Sequence, residues 1–122
     1  MKSYRELIVW QKSMDLVSDV YKSSASFPPS ETYGLTTQIK RSAISIPSNI
    51  AEGYGRNHSK DYVRFLEISR GSLYELQTQI EIAINLEFLH QDKFDIMSQK
   101  CLEVEKMLNS LITKIKKSEH IR

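Results

Sequence analysis

Residues 41–56 read Arg41-Ser-Ala-Ile-Ser-Ile-Pro-Ser-Asn-Ile-Ala-Glu-Gly-Tyr-Gly-Arg56, which predicts a helix of small residues with a proline inside it. The apolar residues with the three-and-four spacing of a buried face are Ile39, Ala43, Ile46 and Ile50. A second, polar face with the same spacing holds Arg41, Ser45, Ser48 and Glu52. Pro47 cannot donate a hydrogen bond to the carbonyl of Ala43, which costs about 3 kcal/mol unless packing fixes the kink. The stretch therefore predicts a kinked helix with two kinds of neighbour.

The composition predicts one ordinary globular domain over residues 1–122. Hydrophobic residues make up 40% and charged residues 26% of the chain, which excludes a disordered protein. A chain of this length can bury a core without disulfides or metals. The formal net charge is only +2, so any nucleic-acid-binding function depends on where the cations lie.

The sequence also favours a cytoplasmic location. The single cysteine, Cys101, excludes an internal disulfide and fits a reducing compartment. There is no apolar run of about 18 residues and no apolar signal core at the start of the sequence. We therefore expect neither a membrane span nor a secretory signal.

The opening stretch belongs to the second of four predicted helices. The first ends between Ser23 and Pro29, the second runs from roughly Glu31 to Tyr54, and the third has Ser59 as its N-cap. The fourth follows a break at Leu89-His-Gln91. The predicted core stripes are Leu7, Trp10, Met14, Val17 and Tyr21 on the first helix, Tyr62, Leu66, Ser69, Leu73, Leu76, Ile80 and Ala83 on the third, and Phe94, Met97, Cys101, Val104, Leu108, Leu111 and Ile115 on the fourth. Because the connections are short, we predict an all-α fold, an antiparallel up-down-up-down four-helix bundle.

Three glycines have predicted roles in this bundle. Gly53 and Gly55 end the second helix, where glycine can supply left-handed geometry. Gly71 lies inside the third helix and would let the side of the second helix around Ser45 approach closely. The alternative is that Gly71 is exposed and simply tolerated.

Motifs along most of the chain resemble those of a known family. They are Leu7-Ile-Val-Trp-Gln-Lys12, Phe27-Pro28, Tyr33-Gly-Leu35, Gln38, residues 41–56, Arg64-Phe-Leu66 and Gly71-Ser-Leu-Tyr-Glu75. With them the chain resembles the small four-helix-bundle proteins encoded by intervening sequences in bacterial large-subunit ribosomal RNA genes. That family is similar to the accessory variability protein of diversity-generating retroelements, a pentameric bundle that engages a reverse transcriptase and nucleic acid. The resemblance implies a bacterial, cytoplasmic homopentamer with RNA, DNA, a reverse transcriptase or a ribonucleoprotein as partner.

The predicted topology gathers cations at one pole, where the first helix starts, the second and third connect, and the fourth ends. This basic pole holds Lys2, Arg5, Arg56, Lys60, Arg64, Lys114, Lys116, Lys117 and Arg122, against Glu6, Glu52, Asp61 and Glu119. The helix dipole explains lysines at a helix end, but it does not explain Arg5, Lys60 and Arg64 near helix starts. We predict a nucleic-acid interface formed by Arg5, Arg56, Lys60, Arg64, Lys114, Lys116 and Lys117. The alternative is a charged surface that is only solvated.

A polar set on the second and third helices has two interpretations. Its members are Arg41, Ser45, Asn49, Glu52 and Glu75. They could form a network inside one bundle in which Arg41 pairs with Glu75, or they could bridge subunits. The family resemblance favours a contribution to a ring interface.

No residue pattern predicts catalysis, a cofactor or a metal. Glu87-Phe-Leu-His90 matches one Glu-x-x-His unit of di-iron bundles, but those sites need two such units and further carboxylates. Gly53-Tyr-Gly55-Arg56 closes a helix, whereas phosphate-binding loops open one. Cys101 occupies a core position, which favours an inert thiol. We expect Trp10 and Tyr21 to be core or subunit contacts rather than base-stacking platforms.

Taken together, the sequence predicts a non-enzymatic, homo-oligomeric bundle that binds RNA or DNA through its basic pole without reading base sequence. The alternative is a structural or protein-interaction ring with no nucleic-acid role.

Overall fold

The computed structural model describes residues 2–121, and the side chains of residues 2–118. The predicted pole residues Glu119 and Arg122 therefore lie outside the described side chains. Four α-helices span Ile8–Ser24 (α1), Leu35–Tyr54 (α2), Ser59–Asn85 (α3) and Gln91–Ile121 (α4). Short 3-10 turns at Tyr4–Glu6 and Pro29–Glu31 precede α1 and α2, and residues 2–121 contain no strand.

The helices close into a four-membered bundle. Within the described residues, α1 packs on α2, α2 on α3, α3 on α4, and α4 back on α1. Because consecutive helices are joined by short connections, neighbours along the chain are neighbours in space. The predicted all-α antiparallel four-helix bundle is confirmed. No helix within residues 2–121 is long and apolar enough to cross a membrane.

The predicted core stripes of α2, α3 and α4 are confirmed. The core of α2 consists of Ile39, Ala43, Ile46 and Ile50, and α3 contributes Leu66, Leu73, Leu76, Ile80 and Ala83. From α4 come Met97, Cys101, Val104 and Leu108. At the end of α4, Ile112 is buried, whereas the predicted Leu111 is only half-buried.

The predicted core stripe of α1 is wrong by one helical position. The buried residues of α1 are Val9, Ser13, Leu16, Val20 and Ser24. Serine fits this core because Ser13 Oγ donates to the carbonyl of Trp10 at 2.8 Å, which satisfies the buried hydroxyl. Of the predicted stripe, Leu7, Trp10 and Val17 are half-buried and pack against the core, whereas Met14 and Tyr21 are each 42% exposed.

Both predicted helix starts need correction. Helix α2 starts at Leu35 instead of Glu31, and the Glu31 side chain accepts a hydrogen bond from the Leu35 amide at 3.2 Å. The N-cap of α3 is His58, and Ser59 is already the first helical residue. No side-chain cap bond closes the start of α3. The cationic side chains in its first turns therefore lie beside amides that no cap satisfies.

The structure also changes the roles predicted for the glycines. No glycine in the described chain has a positive φ, so neither Gly53 nor Gly55 supplies left-handed geometry. Gly53 is buried instead, and a Cβ there would lie 2.8 Å from the Cβ of Phe65 on α3. Gly71 is exposed with open space around it, as the alternative interpretation held. Close approach of α2 and α3 therefore depends on Gly53.

The left-handed residue of the described chain is Glu87, with a φ of 63° at the end of α3. There the Phe88 amide donates to the carbonyl of Ala83 at 2.9 Å, and the Glu87 amide donates to the carbonyl of Ile84 at 3.0 Å. This pair of bonds is a Schellman ending, which usually places glycine where Glu87 stands.

Small polar residues join α2 to α3 around Pro47. Ser69 Oγ donates to the carbonyl of Ile46 at 2.9 Å, and Ser72 Oγ donates to Ser45 Oγ at 2.8 Å. Pro47 itself is buried inside α2. These contacts hold the proline-containing segment against α3.

Candidate nucleic-acid interface

The structure brings the start of α1, the α2–α3 connection and the end of α4 to one pole. Tyr4, in the turn before α1, lines a groove together with Arg56 in the α2–α3 connection. Leu7 and Lys114 line another groove, between the start of α1 and the end of α4. The three segments that the sequence assigned to the basic pole thus lie together.

Three predicted cations converge on one groove at this pole. Lys60 and Arg64 from the first turns of α3 and Lys116 from α4 line a groove of about 690 Å³. Within the described side chains, neither Lys60 nor Arg64 forms an ion pair. The Cζ of Arg64 lies 5.3 Å from the centre of the Phe65 ring, which is a cation–π contact. We call this the α3/α4 groove.

Acidic residues compensate part of its charge. Glu67 Oε2 lies 3.9 Å from Lys116 Nζ and 3.8 Å from Arg70 Nη2. Asp61, in the first turn of α3, also lines the groove and forms no ion pair within the described side chains. The unpaired cations of the groove are therefore those contributed by α3.

Arg56 is held by contacts within its own chain. Its Nη2 lies 3.1 Å from Glu52 Oε1, one helical turn away, and its Cζ lies 4.7 Å from the centre of the Phe65 ring. The pairing partially neutralises Arg56 and uses Glu52, which the sequence had placed in a polar network. Arg56 is therefore a weaker candidate for a phosphate contact than Lys60 or Arg64.

The other predicted cations lie apart from the α3/α4 groove. Lys114 and Lys117 line a shallow groove on α4 with Asn109. Arg5 lies in the first 3-10 turn, with its Cζ 4.8 Å from the centre of the Tyr4 ring. The cations thus surround the pole in separate groups.

The predicted polar set divides into a paired and an unpaired part. Asn49 Nδ2 donates to Ser45 Oγ at 2.9 Å and to the Ser45 carbonyl at 2.8 Å, and Ser45 in turn accepts from Ser72. Arg41 and Glu75 are exposed, and the structure forms no ion pair between them or with any described side chain. The predicted pairing of Arg41 with Glu75 inside one bundle is therefore wrong.

The thiol and the Glu-x-x-His unit that the sequence offered for chemistry lie in the core or apart from this pole. Cys101 is fully buried, and burial together with the nearby charge of Glu105 raises the pKa of its thiol to about 12. Glu87 and His90 are exposed at the α3–α4 connection. Within the part of the chain that the structure describes, no three His, Cys, Asp or Glu side chains form a group that could hold a metal ion.

The apolar lining of the α3/α4 groove was not predicted from the sequence. Val63 is buried and Ile115 is half-buried, and both line the groove beneath the cations. Ile115 was predicted as core. The signal for Val63 is its place between Lys60 and Arg64, one turn before the core residue Leu66.

An apolar groove between α1 and α2 was also missed. It has a volume of about 340 Å³ and contains most of the stripe that was predicted as core, with Trp10, Met14 and Val17 facing Ile44 and Pro47. We call this the α1/α2 face. Ile44 is 43% and Met14 42% exposed, whereas Trp10 and Val17 are half-buried, so the face is a partly exposed apolar surface of the single chain.

Comparisons with known proteins agree with this fold. Residues 5–110 match the model of the protein family described as 23S rRNA-intervening sequence protein. The chain is similar to a crystal structure of a protein with unknown function from the S23 ribosomal protein family of Bacteroides thetaiotaomicron, with a TM-score of 0.78. The two are 24% identical over 86% of this chain and 98% of that chain, a likeness that shows the fold alone. No curated protein matches the chain. Because the family match spans most of its residues, the chain belongs to the 23S rRNA-intervening sequence protein family.

Proposed function

We propose that this protein is a non-enzymatic, cytoplasmic homo-oligomer that binds RNA or DNA through its basic pole. Its role would be that of an accessory factor in a ribonucleoprotein or in reverse transcription. Phosphate neutralisation would supply the affinity, so binding would not depend on base sequence.

The observation that carries this proposal is the pair of unpaired cations in the α3/α4 groove. Lys60 lies in the first turn of α3, where the helix dipole disfavours a positive charge by about 0.3–1 kcal/mol, and Arg64 lies one turn further on in the same groove. No described carboxylate forms an ion pair with either cation to offset this. Uncapped amides at the same helix start add donors for an anion. A phosphate bound there would relieve both costs.

Self-association is supported by the α1/α2 face, and its proposed occupant is a second copy of the chain. The face is flanked by the cations Lys40 and Arg41 on α2. On α3, Ile68 is exposed, and so is Glu75 two turns later, an acid that has no ion pair within the described side chains. An apolar, basic surface would thus meet an apolar, acidic one.

Contacts between two different surfaces of the same chain generate closed rings or open filaments. The resemblance to the pentameric accessory variability protein favours a ring of five. Five copies would repeat the basic pole and multiply a modest charge per subunit. In this arrangement Arg41 and Glu75 would bridge subunits.

A protein-interaction ring with no nucleic-acid role is the second candidate. Charge compensation at the pole favours it, because Arg56 pairs with Glu52 and Lys116 lies near Glu67. The unpaired cations of the groove favour the first candidate.

Binding to unrelated RNA and duplex DNA sequences, measured by fluorescence anisotropy over a range of salt concentrations, separates the two candidates. The nucleic-acid proposal expects similar affinities for unrelated sequences and a linear fall of log affinity with log salt. If the protein bound neither probe at about 0.15 M salt, the protein-interaction ring would be the better account.

A further inference from the structure

The α3/α4 groove combines a charged rim with an apolar lining. Lys60, Arg64 and Lys116 supply the cations, while Val63 and Ile115 line the groove between them. Its volume of about 690 Å³ falls within the roughly 300–1,000 Å³ typical of sites that enclose a small organic group. A surface that only neutralises phosphates needs no such lining.

The two forms of nucleic acid present different groups to this groove. A duplex shows its phosphates outward, and its bases are stacked and paired inside. A single strand can turn an unstacked base outward while its flanking phosphates stay within reach of cations. Only the single strand can fill an apolar groove and contact its charged rim together.

The position of Asp61 also favours a single strand of nucleic acid as the ligand. Its carboxylate lines the groove and has no ion pair within the described side chains, so it would repel a phosphate placed beside it. A carboxylate can instead accept hydrogen bonds from the amino group of a base, as acids do from cytosine. The mixed charge of the groove therefore suits a base flanked by phosphates better than a row of phosphates.

We infer that the α3/α4 groove holds an unpaired base of single-stranded nucleic acid, with Lys60, Arg64 and Lys116 contacting the flanking phosphates. This inference rests on the proposed function and names its ligand as a single strand. Charge alone predicts the reverse preference, because a duplex carries more phosphates per unit length.

The test compares a short single-stranded RNA with the duplex that it forms with its complement, at one salt concentration. We expect about fivefold tighter binding of the single strand, equivalent to burying about 40 Å² of apolar base surface. Ile115→Thr should remove most of this preference by lowering the affinity for the single strand more than the affinity for the duplex. Leu111→Thr is the matched control, since Leu111 is half-buried on the same helix but lines the groove beside α1.

Thermal unfolding of both variants shows whether they fold, and the comparison of the two probes on the unmodified protein needs no variant. Equal or tighter binding of the duplex by that protein would overturn the inference and leave the proposed function standing. A preference that Ile115→Thr and Leu111→Thr reduce equally would also overturn it. Failure to bind either probe would overturn the proposed function itself.

Discussion

Gly53 and Gly71 both lie inside helices, but only Gly53 is packed so closely that a side chain would not fit. The backbone of Gly53 is so close to α3 that an added Cβ would lie 2.8 Å from the Cβ of Phe65 and 3.0 Å from Cδ1 of Tyr62. At Gly71 an added Cβ would meet no atom within 4 Å. Sequence alone could not tell them apart, because helical periodicity does not report the distance between two helices.

Gly53→Ala should therefore destabilise the fold by about 1–3 kcal/mol, the usual cost of forcing extra volume into a packed contact. Gly71→Ala is the matched control and should stabilise it by about 0.5–1 kcal/mol, because alanine favours the helix and the site is open. Urea unfolding of both variants measures this difference. Equal effects of the two substitutions would show that α2 and α3 are not in close contact at Gly53.

Cys101 makes the stability depend on alkaline pH. Burial raises the pKa of its thiol from 9.0 to about 12, so the folded state holds the proton more tightly than the unfolded state. The contribution of the thiol is fully present below about pH 9 and is lost as the pH rises toward 12, at up to about 1.4 kcal/mol per pH unit.

Cys101→Ala should remove this component. Free energies of unfolding measured at neutral pH and at successive pH values above 9 should show the unmodified protein losing stability relative to the variant. Tyr62, whose pKa burial raises from 10.0 to about 12, is present in both proteins and cancels in the comparison. Parallel pH curves for the two proteins would contradict a buried thiol.

At the scale of elements, three of the four core stripes could be predicted because apolar residues mark most of their buried positions, even though α2 buries Ser42 and α3 buries Ser69 and Ser72. Helix α1 could not, since two of its five buried residues are Ser13 and Ser24 and a more apolar stripe competes with them. Each hydroxyl donates to a carbonyl one turn earlier in the same helix, at 2.8 Å to Trp10 and 3.3 Å to Tyr21, so burial costs little. The more apolar stripe lies on the adjacent side, where a pattern of hydrophobicity places the core wrongly.

The register of α1 can be tested by truncation. Leu16→Ala should destabilise the fold by about 2–5 kcal/mol, as expected for a leucine that is fully buried. Met14→Ala should cost less than about 1 kcal/mol in the single chain, because the Met14 side chain is 42% exposed. Leu108→Ala on α4 serves as the positive control with a cost similar to that of Leu16→Ala. A larger loss at Met14 than at Leu16 would restore the register predicted from the sequence.

Only part of the candidate site could be predicted from patterns along single helices. Lys60 and Arg64 are four residues apart at a helix start, and antiparallel topology places the end of α4 beside them. The apolar lining by Val63 and Ile115, and the position of Glu67 near Lys116, depend on how α3 and α4 lie side by side. No single-helix pattern contains that information.

At the scale of the whole molecule, ion pairs join helices in the middle of the bundle, whereas some cations of the basic pole form no ion pair within the described side chains. Lys100 Nζ lies 2.7 Å from Asp15 and 2.5 Å from Asp19, which joins α4 to α1 and raises the pKa of Lys100. These pairs are distant in sequence and stabilise one helix against another. Within the described side chains, Lys60 and Arg64 form no ion pair that joins two helices.

The assembly proposal predicts that Met14→Glu dissociates the oligomer, because a carboxylate would be buried in an apolar interface without a partner. Leu102→Glu is the matched control, since Leu102 is 52% exposed on α4, outside the α1/α2 face, and should leave assembly unchanged. Solution mass at micromolar concentration measures both. An unmodified protein that is monomeric, or a Met14→Glu variant that stays assembled, would remove the α1/α2 face as the interface.

The central claim is that Lys60 and Arg64 bind phosphates, and the salt dependence of nucleic-acid binding tests it most directly. The measurement compares the unmodified protein with the double variant Lys60→Gln/Arg64→Gln, and with Lys22→Gln/Lys93→Gln as a control of equal charge far from the groove. For a single-stranded RNA between about 50 and 200 mM salt, the slope of log affinity against log salt should flatten by about 0.7 per lost contact in the first variant. The control should keep the slope of the unmodified protein. Equal slopes for all three proteins, or equal flattening in both variants, would show that the α3/α4 groove does not bind phosphates.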